Sequence, residues 1–179
     1  MDAAKYAATE CLRNGASLHI RALRPSDRAE MLAAIGRSSK EMLYRRFFAP
    51  KRNFSEREIE FFLNVDFDSH VALVAVLSES RREVIVGGAR YIVSQPGRAE
   101  VAFAIDDPHQ KLGIATHLIS HLIKIGRAAG LEEFVAEVLA ANVPMLKVFE
   151  RCGLATTTRR ERGVVHVTLA LPRGAAKDL

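Results

Sequence analysis

The segment Ile105-Asp106-Asp107-Pro108-His109-Gln110-Lys111-Leu112-Gly113-Ile114-Ala115-Thr116 joins an alternating strand directly to a long amphipathic helix. Within it, Gln110, Gly113 and Ala115 form a Gln-x-x-Gly-x-Ala pattern. A helix start presents unpaired N–H groups and the positive end of the helix dipole, and small residues let a phosphate group approach the main chain. Two interpretations remain open from this segment alone: a phosphate-binding turn, or a strand-to-helix turn without a ligand.

Other phosphate-binding motifs are missing from the sequence. No Gly-x-x-x-x-Gly-Lys-Ser/Thr stretch occurs, and no Gly-x-Gly-x-x-Gly follows a predicted strand. The sequence therefore predicts neither ATP nor NAD as a cofactor.

The spacing of apolar residues extends the pattern of strands and helices in both directions. β-branched or alternating runs predict strands over residues 17–23, 70–77, 84–93, 100–105, 134–139, 155–158 and 164–171. Helical spacing predicts helices over residues 24–35, 38–48, 55–63, 112–129 and 143–151. Ser38 and Ser55 each precede a Glu by three residues, which indicates a capping box at two of the helix starts. The resulting order is α+β with one β-α-β crossover.

The ends of the chain carry weaker patterns than its middle. Residues 1–16 have few large apolar side chains and are predicted to be an N-terminal tail. One domain is predicted over residues 17–172, followed by a C-terminal tail at 173–179. No repeat or low-complexity linker divides the chain.

Composition excludes several classes of protein. The 179 residues are 49% hydrophobic and 26% charged, as expected for one globular domain. No apolar run is long enough for a membrane helix, and the N-terminus lacks a signal-peptide core, so we expect a cytoplasmic protein that does not bind membranes. Cys11 and Cys152 are predicted to be free thiols. The formal net charge of +5 comes from scattered basic residues without an aromatic stripe, so nucleic-acid binding is not predicted.

A second motif supports a cofactor site. Asn142 follows the predicted strand at 134–139 and begins a short helix that ends before Gly153. Together with the Gln110, Gly113 and Ala115 spacing, this order resembles the GNAT acetyltransferase superfamily over residues 17–171. The resemblance implies an α+β (mixed α/β) fold, with a central mixed, mostly antiparallel sheet and a splayed β-α-β site for acetyl-CoA flanked by helices. Ala115 departs from the Gly that many members have at that position.

The resemblance also implies a set of cofactor-binding residues. The main-chain amides of residues 111–115 are expected to hold the pyrophosphate, Ile105 to bind the pantetheine arm and polarise the thioester, and Asn142 to reach the cofactor from the next helix. The full set is Ile105, Gln110, Lys111, Leu112, Gly113, Ile114, Ala115, Thr116, Asn142 and Met145.

The catalytic group is predicted from the same resemblance. Many GNAT enzymes use a Tyr late in the second helix to protonate the departing thiolate, but Phe149 stands at that position. A lone carboxylate, Glu100, lies in the strand before the cofactor turn and is the candidate general base, since an amine nucleophile must lose a proton. From the residues alone, Glu100 can equally be a solvent-facing residue of the strand. The stretches at 99–103, 38–48 and 66–70 are similar to the GNAT domain of bacterial protein lysine acetyltransferases, which commonly lack the Tyr.

Histidines and acidic residues suggest further sites. His117 and His121 are one helical turn apart, but without a third ligand at a fixed spacing no metal site is predicted. Glu60, Asp66 and Asp68 are expected to attract a cationic amine if they lie near the acceptor groove.

These observations predict an acetyl-CoA-dependent N-acetyltransferase that acts on a protein lysine by direct attack. Two alternatives stay open: an acetyltransferase for a small amine such as an amino acid, polyamine or aminoglycoside, and a non-catalytic acyl-CoA sensor. The expected partners are acetyl-CoA and the amine acceptor, and the protein is expected to be a monomer or homodimer.

Overall fold

The protein folds around one sheet of eight strands. The computed structural model describes residues 1–51, 53–79 and 82–172. Its strands are β1 (Ala7–Cys11), β2 (Ser17–Ala22), β3 (His70–Glu79), β4 (Arg82–Gln95), β5 (Arg98–Ile105), β6 (Glu133–Leu139), β7 (Thr156–Glu161) and β8 (Val164–Ala170). Its α-helices are α1 (Arg28–Arg37), α2 (Lys40–Phe47), α3 (Glu56–Leu63), α4 (Ile114–Ala128) and α5 (Val143–Glu150). Short 3-10 turns cover Ala3–Lys5, Pro25–Asp27 and Asp107–His109. This order confirms the predicted α+β class.

The strands lie in the order β1-β2-β3-β4-β5-β6-β8-β7. Neighbouring strands are antiparallel except β5 and β6, which run parallel. A parallel pair needs a crossover connection, and α4 provides it by carrying the chain from the end of β5 back to the start of β6. The sheet is therefore mixed and mostly antiparallel, as predicted.

Helix α4 forms the main core against one face of the sheet. Leu118, Ile119 and Leu122 are fully buried there, and each contributes about 1.5–3 kcal/mol by leaving water. Gly126 lets the helix approach the sheet closely, because a Cβ at that position would lie 2.6 Å from the ring of Phe134. Within residues 1–51, 53–79 and 82–172, no helix has the length and apolar character needed to cross a bilayer.

A smaller apolar cluster covers the opposite face of the sheet, beneath the first three helices. Alternate residues of β3 supply Ala72, Val74 and Val76, which pack with Leu23 and Ile85. Since side chains of a strand alternate between faces, their neighbours in β3 belong to the α4 side. Helix α2 packs against β5 on this face, and Ser39 at its N-terminal end donates to Asp107 in the turn after β5.

The predicted N-terminal tail is wrong for most of its length. Strand β1 pairs antiparallel with β2, and Ala3 and Leu12 are buried on either side of it. The side chains of β1 are small or polar and only every second one is half-buried, so no strand pattern is visible in the sequence. The predicted C-terminal tail at 173–179 lies outside the described residues.

The two predicted capping boxes differ in outcome. The one at Ser55 is confirmed, since Ser55 and Glu58 cap each other's backbone at the start of α3. The one at Ser38 is wrong: Ser39 accepts the hydrogen bond from Met42 N at 3.1 Å, whereas Ser38 donates to the carbonyl of Ala34 at the end of α1. Ser38 closes one helix and Ser39 opens the next.

His70 is buried at the start of β3, only 7% exposed. Its Nε2 lies 3.0 Å from the Arg90 guanidinium, which can only donate, so Nε2 accepts and the imidazole is neutral. Burial and then the charge of Arg90 lower the pKa of His70 to about 4, against the opposing effect of Asp66. The imidazole of His70 therefore takes up a proton more readily in the unfolded chain than in the folded protein.

We expect His70 to make the protein less stable as the pH falls from 6.5 towards 4. Its stabilising contribution is complete above the unfolded pKa of 6.5 and is lost progressively below it, with a total near 3 kcal/mol for a shift of this size. Chemical denaturation at pH 7.5 and 4.5 measures the loss. His70→Gln should lose about 2–3 kcal/mol less than the wild type over this range, and His19→Gln, at an exposed site, should behave as the wild type. Equal losses in all three proteins would contradict the assignment.

Candidate cofactor and acceptor cleft

The candidate site is a cleft where β5 and β6 separate. The two strands pair only through residues 98–100 of β5 and 133–135 of β6, and beyond these they diverge. A cavity of about 600 Å³ opens between them and extends to the start of α4, to α5 and to the end of α2. Ten of the eleven predicted site residues line it: Glu100, Ile105, Gln110, Lys111, Gly113, Ile114, Ala115, Thr116, Asn142 and Met145. The exception is Leu112, whose side chain packs against the main core.

The backbone of β5 presents hydrogen-bonding groups to this cleft. Asp106 N donates to Val86 O at 2.9 Å, which sets the alternation of the antiparallel β4–β5 ladder. By that alternation Ala104 faces β4 with its amide, while Phe103 and Ile105 direct theirs away from β4, towards the gap left by β6. The carbonyl of Ile105 accepts a hydrogen bond from Gln110 Nε2 at 3.3 Å, which ties the strand end to the turn.

The turn between β5 and α4 exposes the first amides of the helix. Lys111 and Gly113 both have positive φ, 67° and 95°, so the chain reverses sharply before α4 begins. Gly113 occupies the N-cap position and no side chain caps the helix. The first-turn N–H groups of α4 therefore remain available to an anion, and the helix dipole adds to the attraction.

Cationic side chains surround the cleft. The basic residues along its wall are Arg13, Arg45, Arg46, Lys111, Lys147 and Arg151, and the carboxylates are Glu100 and Glu137. This excess of positive charge favours a ligand that carries several phosphates.

Arg13 is a site residue that sequence reasoning missed. It lies in the β1–β2 turn, and a Cβ at Gly113 would be 3.9 Å from Arg13 Nε. The hairpin is held against α4 by Glu10, which lies 3.4 Å from His117 Nδ1 and 3.0 Å from His121 Nε2. The His117 and His121 pair therefore anchors β1 on the helix, and among the described residues no group of three His, Cys, Asp or Glu side chains is arranged to hold a metal ion.

Glu100 is exposed and lies on the face of β5 that points towards α2. Its charge acts on Arg46, whose pKa is lowered by burial and raised in part by Glu100. Glu137, on β6, is also exposed and lies 3.3 Å from His166 Nδ1. Among the described residues, Glu100 is therefore the carboxylate of the cleft that forms no salt bridge.

Phe149 stands at the far wall and carries no ionisable group. It is 2% exposed and packs edge-on against Phe103, with ring centroids 5.7 Å apart. Its position in the cleft wall agrees with the alignment made from the sequence.

Asn142 has a structural role in addition to any role in binding. Its side-chain oxygen accepts from Met145 N at 3.4 Å and so caps α5. Its amide nitrogen remains free to donate to a ligand.

The acidic residues expected near an acceptor groove lie elsewhere. Glu60, Asp66 and Asp68 do not line the cleft. Asp66 instead accepts hydrogen bonds from Asp68 N, Ser69 Oγ and His70 N, and these bonds lower its pKa to about 2. The expectation failed because Asp66 organises the loop before β3.

Comparison with known proteins gives a consistent result. A family model described as the acetyltransferase (GNAT) family matches residues 40–154. Acetyltransferase Pat of Mycolicibacterium smegmatis is 31% identical over 163 residues, and acetyltransferase PA5475 of Pseudomonas aeruginosa is 31% identical over 137 residues. These matches cover 90% and 76% of the chain but 48% and 74% of the two relatives, so the chain spans about half the length of the first. The solved GNAT domain of S. lividans PAT superposes with a TM-score of 0.84 at 31% identity, covering 92% of this chain and 97% of that domain.

Replacing Gly113 tests the helix start as a phosphate site. Gly113→Val should raise the dissociation constant for CoA at least tenfold, because a branched side chain disfavours φ of 95° and crowds the first-turn amides. Gly130→Val is the matched control, since Gly130 has φ of 78° at the other end of the same helix with open space around it. Calorimetric titration with CoA measures both variants, and equal affinities would contradict the phosphate assignment.

Arg13 should contribute to cofactor affinity through its charge. Arg13→Gln is expected to weaken CoA binding about three- to tenfold at low ionic strength, and the effect should shrink in 0.5 M salt, where charges on the surface are screened. The same titration in two buffers measures it. An effect that is absent at low salt would exclude Arg13 from the site.

Proposed function

The chain belongs to the acetyltransferase (GNAT) family, whose acyl donor is acetyl-CoA, and we propose that it acetylates a lysine side chain of a protein with Glu100 as the general base. The observation that carries the proposal is that an exposed carboxylate shares one cleft with an uncapped helix start and a ring of cationic side chains. The donor supplies an activated acetyl thioester, and the residues of this chain bind it, orient it and remove a proton from the acceptor.

In this proposal the cofactor lies along β5. The first-turn amides of α4, with Arg13 and Lys111, hold the pyrophosphate. The Ile105 amide bonds the pantetheine arm, in the place that a continued β6 would otherwise take. The amide nitrogen of Asn142 contacts the cofactor from the opposite side of the cleft.

The thioester carbonyl is better matched to Phe103 than to Ile105. At 3.3 Å per residue, the Ile105 amide is about 16 Å along the strand from Glu100, whereas the Phe103 amide is about 10 Å away. A base that acts through one water reaches a thioester held at the Phe103 amide more readily than one held at the Ile105 amide. We therefore assign polarisation of the carbonyl to Phe103 N–H, which also faces the cleft, and keep Ile105 for the pantetheine arm.

Glu100 removes the proton that makes the acceptor unreactive. A lysine ammonium has a pKa near 10.4 and must become an amine before it attacks. The proton passes to Glu100, directly or through water, and the free amine attacks the carbonyl carbon. The attacking nitrogen releases its second proton to solvent, and collapse of the tetrahedral intermediate breaks the C–S bond. The thiolate takes a proton from solvent because Phe149 has none to give.

The small number of carboxylates in the cleft favours a protein lysine over a polyamine as the acceptor. A polyamine carries several positive charges and is best held by several carboxylates. Among the described residues, the cleft offers Glu100 and Glu137, and Glu137 already pairs with His166. Among the described residues, Glu100 is the cleft carboxylate that forms no salt bridge, and one such carboxylate suits a single ammonium that reaches in from a partner's surface.

Glu100→Gln tests the base. The variant should lose at least 100-fold in kcat at pH 8, because general-base catalysis typically contributes 10²–10⁴-fold, while its affinity for CoA stays within about threefold of the wild type. CoA release followed with a thiol-reactive dye measures turnover. Glu137→Gln removes a carboxylate from the same cleft and should keep the wild-type rate. Turnover that survives in Glu100→Gln would exclude this residue as the base.

The acceptor class is tested in the same assay with lysine-containing proteins, free amino acids, polyamines and aminoglycosides. Release with proteins, and not with small amines, supports the proposal. Release confined to a small amine overturns the acceptor assignment and leaves the acetyltransferase reaction itself in place.

A further inference from the structure

A second, smaller cavity adjoins the cleft beneath α2. This side cavity has a volume of about 130 Å³ and lies between α1, α2 and the sheet. Its floor consists of Gly87, Gly88, Ala102 and Ala104, and its walls are mostly apolar. The volume is well above the roughly 15 Å³ that one water needs and below the roughly 300 Å³ of a small ligand pocket, so it suits part of a ligand.

The side cavity and the cleft share a wall. Met42, Arg46, Phe47, Ala102 and Ala104 line both. Ala102 and Ala104 belong to the section of β5 that we propose to carry the thioester, and their small side chains leave space beside the strand. An acyl group longer than acetyl would extend from the thioester into this space.

Two guanidinium groups line the side cavity, as does the carboxylate of Asp106, which pairs with Arg37 at 3.4 Å. Arg90 projects from β4 directly opposite Ala102 and donates to Phe62 O and His70 Nε2. Arg46 projects from α2 and stacks on the ring of Phe47, 4.9 Å from its centroid. Among the described residues, neither forms an ion pair with an acid.

The two arginines are close enough to repel each other. Burial and then the charge of Arg46 lower the pKa of Arg90 to about 10, and burial lowers the pKa of Arg46. Both side chains nevertheless stay charged at neutral pH. Arg46 and Arg90 are partly buried, and among the described residues the one acid that acts on either is Glu100, through its attraction for Arg46. A carboxylate placed between the two guanidinium groups offsets their mutual repulsion and uses their free donors.

We propose that the side cavity is a subsite for an acyl chain that ends in a carboxylate, so that the enzyme accepts a short dicarboxylic acyl-CoA such as succinyl-CoA as well as acetyl-CoA. The methylene groups lie over the small residues of the floor, and the terminal carboxylate binds Arg46 and Arg90. The transfer is the same as with acetyl-CoA: the amine forms the C–N bond, the C–S bond breaks and CoA leaves as the thiolate. This inference rests on the proposed placement of the thioester along β5.

Binding of two matched thioesters tests the subsite without turnover. Succinyl-CoA and butyryl-CoA have the same chain length and differ in a terminal carboxylate or methyl group. Calorimetric titration of the wild type should give succinyl-CoA at least a tenfold lower dissociation constant than butyryl-CoA, as expected for charge-assisted hydrogen bonds. In Arg46→Gln the ratio should fall to about threefold or less, and the affinity for acetyl-CoA should change no more than it does in Arg45→Gln, which removes the same charge from the cleft.

Arg45→Gln separates the subsite from the general positive charge of the cleft. Arg45 lines the cleft but not the side cavity, so its loss should weaken both thioesters alike and preserve their ratio. A wild-type ratio near one, or a ratio that persists in Arg46→Gln, overturns the proposal. Glu100→Gln should keep the ratio even though it abolishes turnover, so failure of the catalytic proposal is distinguishable from failure of the subsite.

The carboxylate could also arrive on the acceptor. With acetyl-CoA as the donor, an amino acid and its amide are compared as acceptors in the wild type and Arg46→Gln. A preference for the acid that disappears in Arg46→Gln, together with equal binding of the two thioesters, would assign the arginines to the acceptor and exclude the acyl-chain subsite.

Discussion

The separation of β5 from β6 after three paired residues is the constraint on which the site depends. If the two strands stayed paired, the amides of Phe103 and Ile105 would be consumed by the ladder. Because they diverge, hydrogen-bonding backbone is left facing a cavity, and a ligand can complete the sheet in place of the missing partner. Helix α4 starts at the same end of β5, and its free first-turn N–H groups add to the backbone donors that face the cavity.

Elements distant in sequence position the charges around this opening. The Glu10 carboxylate between His117 and His121 holds the β1–β2 hairpin on α4 and so brings Arg13 to the phosphate turn. From the other side, α2 delivers Arg46 to the wall between the cleft and the side cavity. Most charged side chains of the cleft are thus basic, and among the described residues Glu100 is its carboxylate that forms no salt bridge. In the proposed reaction, the basic side chains attract the anionic donor and Glu100 attracts the cationic acceptor.

Local sequence patterns were sufficient for the elements that build the cofactor site. Periodicity identified β5, α4, β6 and α5, and the Gln110, Gly113 and Ala115 spacing located the turn, because strand alternation, helix starts and glycine turns depend on neighbouring residues. Strand β1 was missed because its short, partly exposed segment is a strand only through pairing with β2. Arg13 was missed for a related reason: its closeness to Gly113 joins residues 100 positions apart and leaves no trace in either local pattern. The role suggested for Asp66 in attracting a cationic amine came from its charge alone. Its hydrogen bonds within the loop cannot be read from the sequence.

The same reasoning explains why the donor is easier to recognise than the acceptor. In the proposed binding mode the donor is held mainly by main-chain amides, whose presentation requires a particular turn and therefore a particular motif. The proposed sites for the acceptor and the acyl chain are lined by side chains from α2, β4 and β5, and any of these can change without disturbing the turn. Arg46 and Arg90 show the difference: each looks like an ordinary surface arginine in the sequence, and only the packing of α2 over the small residues of β5 brings them together over one cavity. In these proposals, specificity for the acceptor and the acyl chain depends on tertiary contacts across the α2 face of the sheet, and cofactor recognition depends on the backbone of a single strand-to-helix turn.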